Sequence, residues 1–283
     1  MFLTKLQFEL LSTIEASHTQ KSLSCKNKKA FEELLDVGLV RGNKITDLGL
    51  EHLEPYRVQR AAILAAGIGS RLHPLTLHTP KPLIVINGMR IIDTLLEAIY
   101  CAGIREIYIV RGYLAEKFDI LLEKYPSIQF IENYKYETEN NISSAVRICK
   151  HLKRSYVMDA DLVLRNRRLI TKYQYQSNYL GIPVEQTDDW CFMTDNEKIT
   201  NIALGGRDCF LWIGLSYWTE IDGSRLANDI TQVYQSDYGT SLYWDQVPLE
   251  VCKDHYSVMV RPCSRSDIVE IDNYEEYLHI TAY

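Results

Sequence analysis

One segment, residues 61–83, constrains the fold more than any other part of the chain: AAILAAGIGSRLHPLTLHTPKPL. It begins as a short apolar run, which is typical of a buried strand. The run leads directly into Gly67 and Gly69, where the absence of a Cβ lets backbone N–H groups approach the oxygens of a bound anion. The segment therefore predicts a strand of an α/β sheet that ends in a phosphate-binding loop.

The same loop carries polar groups suited to a polyphosphate. Ser70 offers a hydroxyl donor, Arg71 a permanently charged fork and Lys81 a mobile point charge. Three prolines stiffen the segment and reduce the entropy lost on binding: Pro74, Pro80 and Pro82. A strand followed by two glycines can also be only a tight turn, but the added charges and prolines favour phosphate binding.

Apolar strands and amphipathic helices alternate after this loop, which predicts an α/β domain with a mainly parallel sheet covered on both faces. From residue 180 onward the strands follow one another more closely, which predicts an antiparallel extension that forms part of a substrate pocket. The predicted helices are 91–102, 114–124 and 143–152, and the predicted strands between and after them are 106–111, 129–132 and 155–159.

Residues 1–57 have a different texture and predict a separate winged-helix-like module, with the α/β domain occupying 58–283. Apolar spacing predicts helices over 4–16 and 28–37. A hairpin with a Gly42-Asn43 turn should follow, and then a helix capped at Thr46 or Asp47.

DNA binding by this module is a weaker expectation. Its eight Lys/Arg and eight Asp/Glu balance to zero, although Lys26, Lys28 and Lys29 cluster at the start of the second helix. The alternatives are a solvated helix end in a module used for packing or for contact within a homodimer.

Composition limits the remaining classes. The formal charge of −6 argues against a polyanion-binding surface over the whole protein. No run approaches the roughly 20 apolar residues of a membrane helix. The N-terminus carries acidic residues within its apolar pattern, which makes it unlike a signal peptide. Seven scattered cysteines without a C-x-x-C pair suggest neither a zinc site nor a disulfide framework and indicate reduced thiols. We therefore expect a cytoplasmic protein.

The glycine pair, Arg71 and the run Thr79-Pro80-Lys81-Pro82 resemble the signature of the sugar-phosphate nucleotidyltransferase superfamily. The resemblance implies a Rossmann-like α/β domain with the nucleotide at the carboxyl edge of its strands. It also implies in-line attack on the α-phosphorus of an NTP with release of pyrophosphate, with Arg71 and Lys81 as catalytic groups. The residues that it implies for nucleotide binding near the loop are Ala65, Ala66, Gly67, Gly69, Ser70 and Ala160.

Two acids follow short apolar runs further along the chain, Asp161 in YVMDADLVL and Asp272 in IVEIDNYEEY. An aspartate after a strand is often only a turn or helix cap. The superfamily resemblance implies that these two hold a catalytic Mg²⁺, a hard cation that prefers carboxylate oxygens. Asp159 and Glu270 are competing candidates.

Most of residues 61–280 also resembles the bacterial CTP:phosphocholine cytidylyltransferases, through short segments that include VRGYLAEKF, ENNISSA, SLYWDQ and EIDNYEEY. This resemblance implies CTP and phosphocholine as substrates. It also implies that four residues lie near the base and ribose: Gly112, Tyr113, Asn140 and Asn141.

A choline head makes no conventional hydrogen bond, so its site should combine aromatic faces with carboxylates. Two acid–tryptophan pairs are suited to this, and the predicted acceptor residues are Asp189, Trp190, Tyr217, Trp244 and Asp245. Core packing is the alternative for each aromatic residue. Other activities also stay open: a cytidylyltransferase for an amine such as 2-aminoethylphosphonate, a sugar-1-phosphate nucleotidyltransferase, or a DNA-binding regulator with a nucleotide-sensing domain.

Overall fold

The computed structural model of the protein describes residues 3–17 and 25–281. The chain divides into two compact units. One contains Met1–Arg57 and Tyr173–Tyr175, and the other contains Val58–Lys172 and Gln176–Tyr283.

The N-terminal unit has the predicted order of helix, helix, hairpin and helix; its winged-helix assignment stays a prediction. Thr46 caps the third helix, because its Oγ1 accepts a hydrogen bond of 3.1 Å from the N–H of Gly49. Lys28 and Lys29 are exposed, whereas the side chain of Lys26 lies outside the described residues. The elements are α1 (Lys5–Ser17), α2 (Cys25–Asp36), β1 (Val40–Arg41), β2 (Lys44–Ile45) and α3 (Asp47–Leu53).

The larger unit contains a seven-stranded mixed sheet with the order β10-β12-β11-β8-β3-β6-β7. Strands β8, β3, β6 and β7 are parallel to one another, and β11 pairs antiparallel with β8. The elements are β3 (Arg60–Ala65), β4 (Val85–Ile86), β5 (Met89–Arg90), α4 (Ile91–Cys101), β6 (Glu106–Arg111), β7 (Ile128–Glu132), α5 (Ile142–Ala145), β8 (Ser155–Asp159), β9 (Leu162–Leu164), β10 (Asn178–Asp195), β11 (Lys198–Trp218), α6 (Glu220–Tyr234), β12 (Met259–Pro262), β13 (Ile268–Glu270) and α7 (Tyr274–Thr281).

Helices cover both faces of this sheet, as the sequence predicts. Successive side chains of a strand point to opposite faces, and in β3 Ile63 packs in one apolar cluster while Ala62 and Leu64 pack in another. Leu95 and the rest of the buried face of α4 cover the first side, whereas Leu226 and neighbouring residues of α6 cover the second. Burial on both faces explains why β3 is apolar from Ala61 to Ala65.

Two predicted helices differ from the structure in type. Residues Ala115–Glu123 form a 3-10 helix, and the segment predicted as one helix over 143–152 consists of α5 followed by a 3-10 helix over Val146–His151. In the first, the buried residues Phe118 and Leu121 lie three positions apart. That spacing fits a repeat of 3.0 as well as one of 3.6, so the apolar pattern cannot separate them.

The predicted antiparallel extension is a long hairpin. Strands β10 and β11 are 18 and 21 residues long and pair with each other through several register shifts. Their turn contains Asn196 and Glu197, both at positive φ. The base of the hairpin belongs to the main sheet, and its middle forms one wall of the site described below.

Within the described part of the chain, no helix has both the length and the apolar character that a membrane crossing requires.

The N-terminal unit offers a matched test of its core. Leu34 is completely buried, whereas its neighbour Leu35 is 37% exposed. Leu34→Ala should destabilise this unit by about 2–5 kcal/mol because it removes buried methyl groups and leaves a cavity, and Leu35→Ala should cost much less. Hydrogen exchange measured by mass spectrometry on α2 and α3 reports this unit directly. Equal effects of the two substitutions would contradict the packing.

Candidate active site

A cavity of about 640 Å³ opens at the carboxyl edge of the parallel strands, where β3 ends at Ala65 and β8 ends at Asp159. This edge is where open α/β sheets usually bind ligands. Many of the predicted site residues line it: Ala65, Ala66, Gly67, Gly69, Ser70, Arg71, Lys81, Asn140, Asn141, Ala160, Asp161, Asp189, Trp190, Asp245 and Asp272.

The glycine loop is folded closely around Lys81. Gly69 has a φ of +67°, and a Cβ at this position would lie 3.1 Å from the Cβ of Lys81. Thr76 closes the loop by donating a hydrogen bond of 2.9 Å to the carbonyl of Gly69. A side chain at residue 69 would be strained by its backbone conformation and would crowd Lys81.

Gly112 and Tyr113 lie behind the glycine loop and not on the cavity wall. The N–H of Tyr113 donates to the carbonyl of Ala66 at 3.1 Å, and its hydroxyl donates to the carbonyl of Thr76 at 2.9 Å. A Cβ on Gly112 would lie 2.6 Å from the ring of Tyr136, which does line the cavity. The two residues therefore position the loop and the ring of Tyr136.

Tyr217 and Trp244 lie in the core, which corrects their prediction as acceptor residues. Tyr217 is 1% exposed and packs edge-on against Tyr156, its partner across β11 and β8. Trp244 is 3% exposed and packs against Tyr179 and Trp218. Their aromatic surface is occupied by other side chains.

Two cations and three carboxylates meet at the loop end of the cavity. Lys81 Nζ lies 2.7 Å from Asp161 Oδ2 and 3.5 Å from Asp272 Oδ1, and Arg71 lies 2.7 Å from the same Asp272 oxygen. Burial alone would lower the pKa of Lys81, but Asp161, Asp272 and Glu270 outweigh it, so its pKa is raised. Lys81 therefore carries its charge at neutral pH.

Asp161, Glu270 and Asp272 form a candidate metal centre. One oxygen from each lies within 4.8 Å of the others. Strand β13 pairs with β9 so that Glu270 is opposite Leu162, which brings this acid beside Asp161. Burial and the neighbouring Asp161 and Asp272 raise the pKa of Glu270 well above its usual range. Burial also raises the pKa of Asp272, although Lys81 and Arg71 oppose the shift.

The donor set fits a hard divalent cation. Asp161 Oδ1 is buried and has no hydrogen-bond partner among the described residues, and a buried carboxylate oxygen in that position needs a donor or a cation. Three carboxylates supply the oxygen ligands that Mg²⁺ prefers. A metal shared among them would also relieve the repulsion that, after burial, contributes to the raised pKa values of Glu270 and Asp272.

A second acidic pair lies deeper in the cavity. Gly214 leaves room for Asp159, because a Cβ on residue 214 would lie 1.9 Å from Asp159 Oδ2. Burial and the nearby Asp245 raise the pKa of Asp159, and burial raises the pKa of Asp245 to about 7 although Asp245 accepts a 2.6 Å hydrogen bond from Tyr179. A cationic ligand here would favour the ionised form of both.

Several lining residues were not among the predicted site residues. Trp212 lies beside Trp190, with ring centroids 6.1 Å apart, and so presents a second indole. Asn133 is 1% exposed and donates to the hydroxyls of Ser143 and Ser144, all three of which line the cavity. The alternation of β11 marks Trp212 and Gly214 as one face of a strand, but only the register shows that this face points into the cavity.

Several known proteins are similar to this chain in sequence. The family model described as nucleotidyl transferase matches residues 60–177. The 2-aminoethylphosphonate cytidylyltransferase of Lancefieldella rimae is 36% identical over 223 residues, which are 76% of this chain and 89% of that protein. The choline-phosphate cytidylyltransferase of Streptococcus pneumoniae is 33% identical over 220 residues, which are 77% of this chain and 95% of that protein.

Solved structures confirm the α/β nucleotidyltransferase fold. The CTP:phosphocholine cytidylyltransferase from Streptococcus pneumoniae superposes with a TM-score of 0.75 at 32% identity, covering 80% of this chain and 98% of that one. A putative glucose-1-phosphate thymidylyltransferase from Bacillus anthracis superposes with a TM-score of 0.64 at 14% identity, covering 79% of this chain and 94% of that one. This likeness supports the fold alone.

The raised pKa of Asp245 predicts a pH dependence of stability. Folded Asp245 keeps its proton up to about pH 7, whereas an unfolded aspartate titrates near ~3.9. The folded state therefore binds more protons between these values, and the contribution of Asp245 to the free energy of unfolding falls as the pH rises through the interval.

Asp245→Asn removes this titration. Its stability relative to the unaltered protein, measured by urea unfolding, should increase from pH ~4 to ~7 by on the order of a few kcal/mol. Asp237→Asn, at an exposed aspartate outside the cavity, is the control. A difference that does not change with pH would contradict the shifted titration.

Proposed function

Because the chain belongs to the nucleotidyl transferase family and is a nucleotidyltransferase of the cytidylyltransferase type, we propose that it transfers CMP from CTP to a small amine that carries a phosphate or phosphonate. One observation carries the proposal. A single cavity combines a glycine loop and two cations at one end with carboxylates and two indoles at the other.

The loop end suits the triphosphate of the nucleotide. Gly67 and Gly69 line the cavity, and neither has a side chain that would keep a phosphate away from its backbone N–H group. Arg71 and Lys81 are now paired with carboxylates, so phosphate oxygens would compete with Asp272 and Asp161 for them. The Arg71 side chain is 70% exposed and can exchange partners with little loss of packing.

The base would lie against Tyr136 and Asn140. Gly112 gives the Tyr136 ring its space, as its missing Cβ shows. Asn140 donates to the carbonyl of Ser241 at 3.1 Å, which fixes its amide at the cavity wall. Asn141 accepts a hydrogen bond of 2.8 Å from the N–H of Trp244 and anchors the segment that carries Asp245. A fixed amide can read the donor and acceptor pattern of a cytosine edge.

Asp161 and Asp272, with Glu270 beside them, would hold Mg²⁺. When bound, the ion would neutralise phosphate oxygens of the nucleotide. The protein's own part is to keep the carboxylates converged and to add the positive charges of Lys81 and Arg71.

The reaction forms a bond between an acceptor oxygen and the α-phosphorus of CTP, and it breaks the bond from that phosphorus to the β-phosphate, releasing pyrophosphate. An acceptor phosphate with a second pKa near ~6 is already a dianion at neutral pH and needs no general base. Catalysis then depends on alignment of the two substrates and on stabilisation of the developing charge.

The acceptor end favours a primary ammonium over a quaternary one. The cavity carries Asp159, Asp189 and Asp245, whereas Tyr217 and Trp244 have their rings in the core. A primary ammonium offers three N–H donors to carboxylates. The first candidate is therefore 2-aminoethylphosphonate. The relative from Lancefieldella rimae is named as a cytidylyltransferase of this compound.

Phosphocholine, the acceptor expected from the sequence, is the second candidate. Trp190 and Trp212 still present neighbouring indoles at the cavity, with an interplanar angle of 78°. Aromatic faces of this kind attract quaternary ammonium groups.

Pyrophosphate release across a panel of four NTPs and several acceptors tests the proposal. CTP with 2-aminoethylphosphonate should give the highest kcat/KM, followed by CTP with phosphocholine. Trp190→Ala should raise the KM of phosphocholine more than that of 2-aminoethylphosphonate, and Asp189→Asn should do the reverse. Preference for a sugar 1-phosphate, or for another NTP, would refute the assignment.

Lys81→Ala should lower kcat about 100- to 1000-fold, because it removes a charge that stabilises the transition state. Lys117→Ala, at an exposed lysine outside the cavity, should leave kcat unchanged. Circular dichroism and thermal unfolding would show whether the Lys81 variant is folded. A folded variant with near-normal turnover would reject the role of Lys81.

A further inference from the structure

A second group of metal-ligating side chains lies outside the cavity. Asp229 projects from α6, Cys252 follows a π-helical turn over Val247–Val251, and His255 ends a 3-10 turn over Lys253–His255. One ligand atom from each lies within 4.8 Å of the others. None of the three lines the nucleotide cavity.

Asp229 is the fixed member of the group. Its side chain is 9% exposed, and its Oδ2 accepts hydrogen bonds from the hydroxyl of Tyr256 at 2.5 Å and from Nδ1 of His255 at 2.8 Å. The imidazole is 53% exposed, so one side of the group opens to solvent. A buried carboxylate already oriented by a tyrosine is a defined position for a cation.

Backbone hydrogen bonds hold the other two members in place. The N–H of Cys252 donates to the carbonyl of Val247 at 2.8 Å, and the N–H of His255 donates to the carbonyl of Cys252 at 2.9 Å. Arg225 donates to the carbonyl of His255 at 2.5 Å and so ties the turn to α6. A thiol and an imidazole three residues apart are therefore presented towards one carboxylate.

We propose that Asp229, Cys252 and His255 bind one Zn²⁺. Sulfur, nitrogen and oxygen donors in one group match the preference of this borderline ion and not that of Mg²⁺ or Ca²⁺. Ligands at about 2.0–2.3 Å from a tetrahedral ion lie ~3.3–3.8 Å apart, so the present cluster needs only a small adjustment. The exposed imidazole can make it, and a water molecule would complete the coordination.

Binding would form bonds from zinc to Cys252 Sγ, His255 Nδ1 and Asp229 Oδ2. The thiol would release its proton to solvent. The imidazole would give up its hydrogen bond to Asp229 by losing the Nδ1 proton to solvent, and Nε2 would carry the one remaining ring proton. The ion would link the turn 252–255 to α6. Because this turn follows the segment that carries Asp245 and Gln246, zinc would steady one wall of the cavity from outside.

Titration of the metal-free full-length protein with Co²⁺ tests this site. A sulfur-to-cobalt charge-transfer band requires a thiolate ligand. The cluster of Asp161, Glu270 and Asp272 contains no sulfur, so Co²⁺ bound there cannot produce the band. The band should saturate at one equivalent and disappear when Zn²⁺ is added. The result is independent of nucleotide transfer, so failure of either proposal can be recognised separately.

Cys252→Ser should abolish the band, and His255→Ala should weaken Co²⁺ binding at least about 10-fold. Cys101→Ser and His279→Ala, at exposed residues elsewhere, are the matched controls and should leave the band unchanged. If Cys252→Ser does not fold, the exposed His255 variant still decides the question. A missing band in the unaltered protein, or a band that His255→Ala does not weaken, would overturn the proposal.

Discussion

The cavity depends on a buried ammonium held between carboxylates. Lys81 is 8% exposed and contacts both Asp161 and Asp272, which come from chain segments more than a hundred residues apart. A buried charge without a partner is strongly unfavourable. The pairing therefore lets the loop, the end of β8 and the segment after β13 converge on one point. The same pairing brings together the cations that would bind a triphosphate and the carboxylates that would bind a metal ion.

Electrostatic strain is concentrated on the acid side of this arrangement. Burial raises the pKa values of Asp159, Asp245 and Glu270, and neighbouring acids add to the shifts of Asp159 and Glu270. Two cations, Lys81 and Arg71, form ion pairs with Asp161 and Asp272 at the loop end. The remaining carboxyl groups favour ligands that bring positive charge. This asymmetry separates the cavity into a region for anions and a region for cations, which matches a zwitterionic acceptor.

Local sequence patterns predicted the parts of the site that depend on chain neighbours. The strand, glycines and basic residues of 61–83 are contiguous, so Gly69, Arg71 and Lys81 could be placed together from the sequence. The acceptor aromatics could not, because their direction depends on strand register. Trp212 and Tyr217 are five positions apart on β11 and therefore face opposite ways. Tyr217 packs against Tyr156, while Trp212 faces the cavity.

Gly214 lies on a strand of the sheet and also lines the cavity, directly against Asp159. Asp159 occupies the volume that any larger residue at position 214 would need, since a single methyl group would overlap its carboxylate. A substitution at position 214, on the neighbouring strand β11, would therefore move the Asp159 carboxylate without changing the identity of residue 159. For protein engineering, the size of residue 214 offers a way to change where a carboxylate meets an incoming amine while every acidic residue of the cavity is kept.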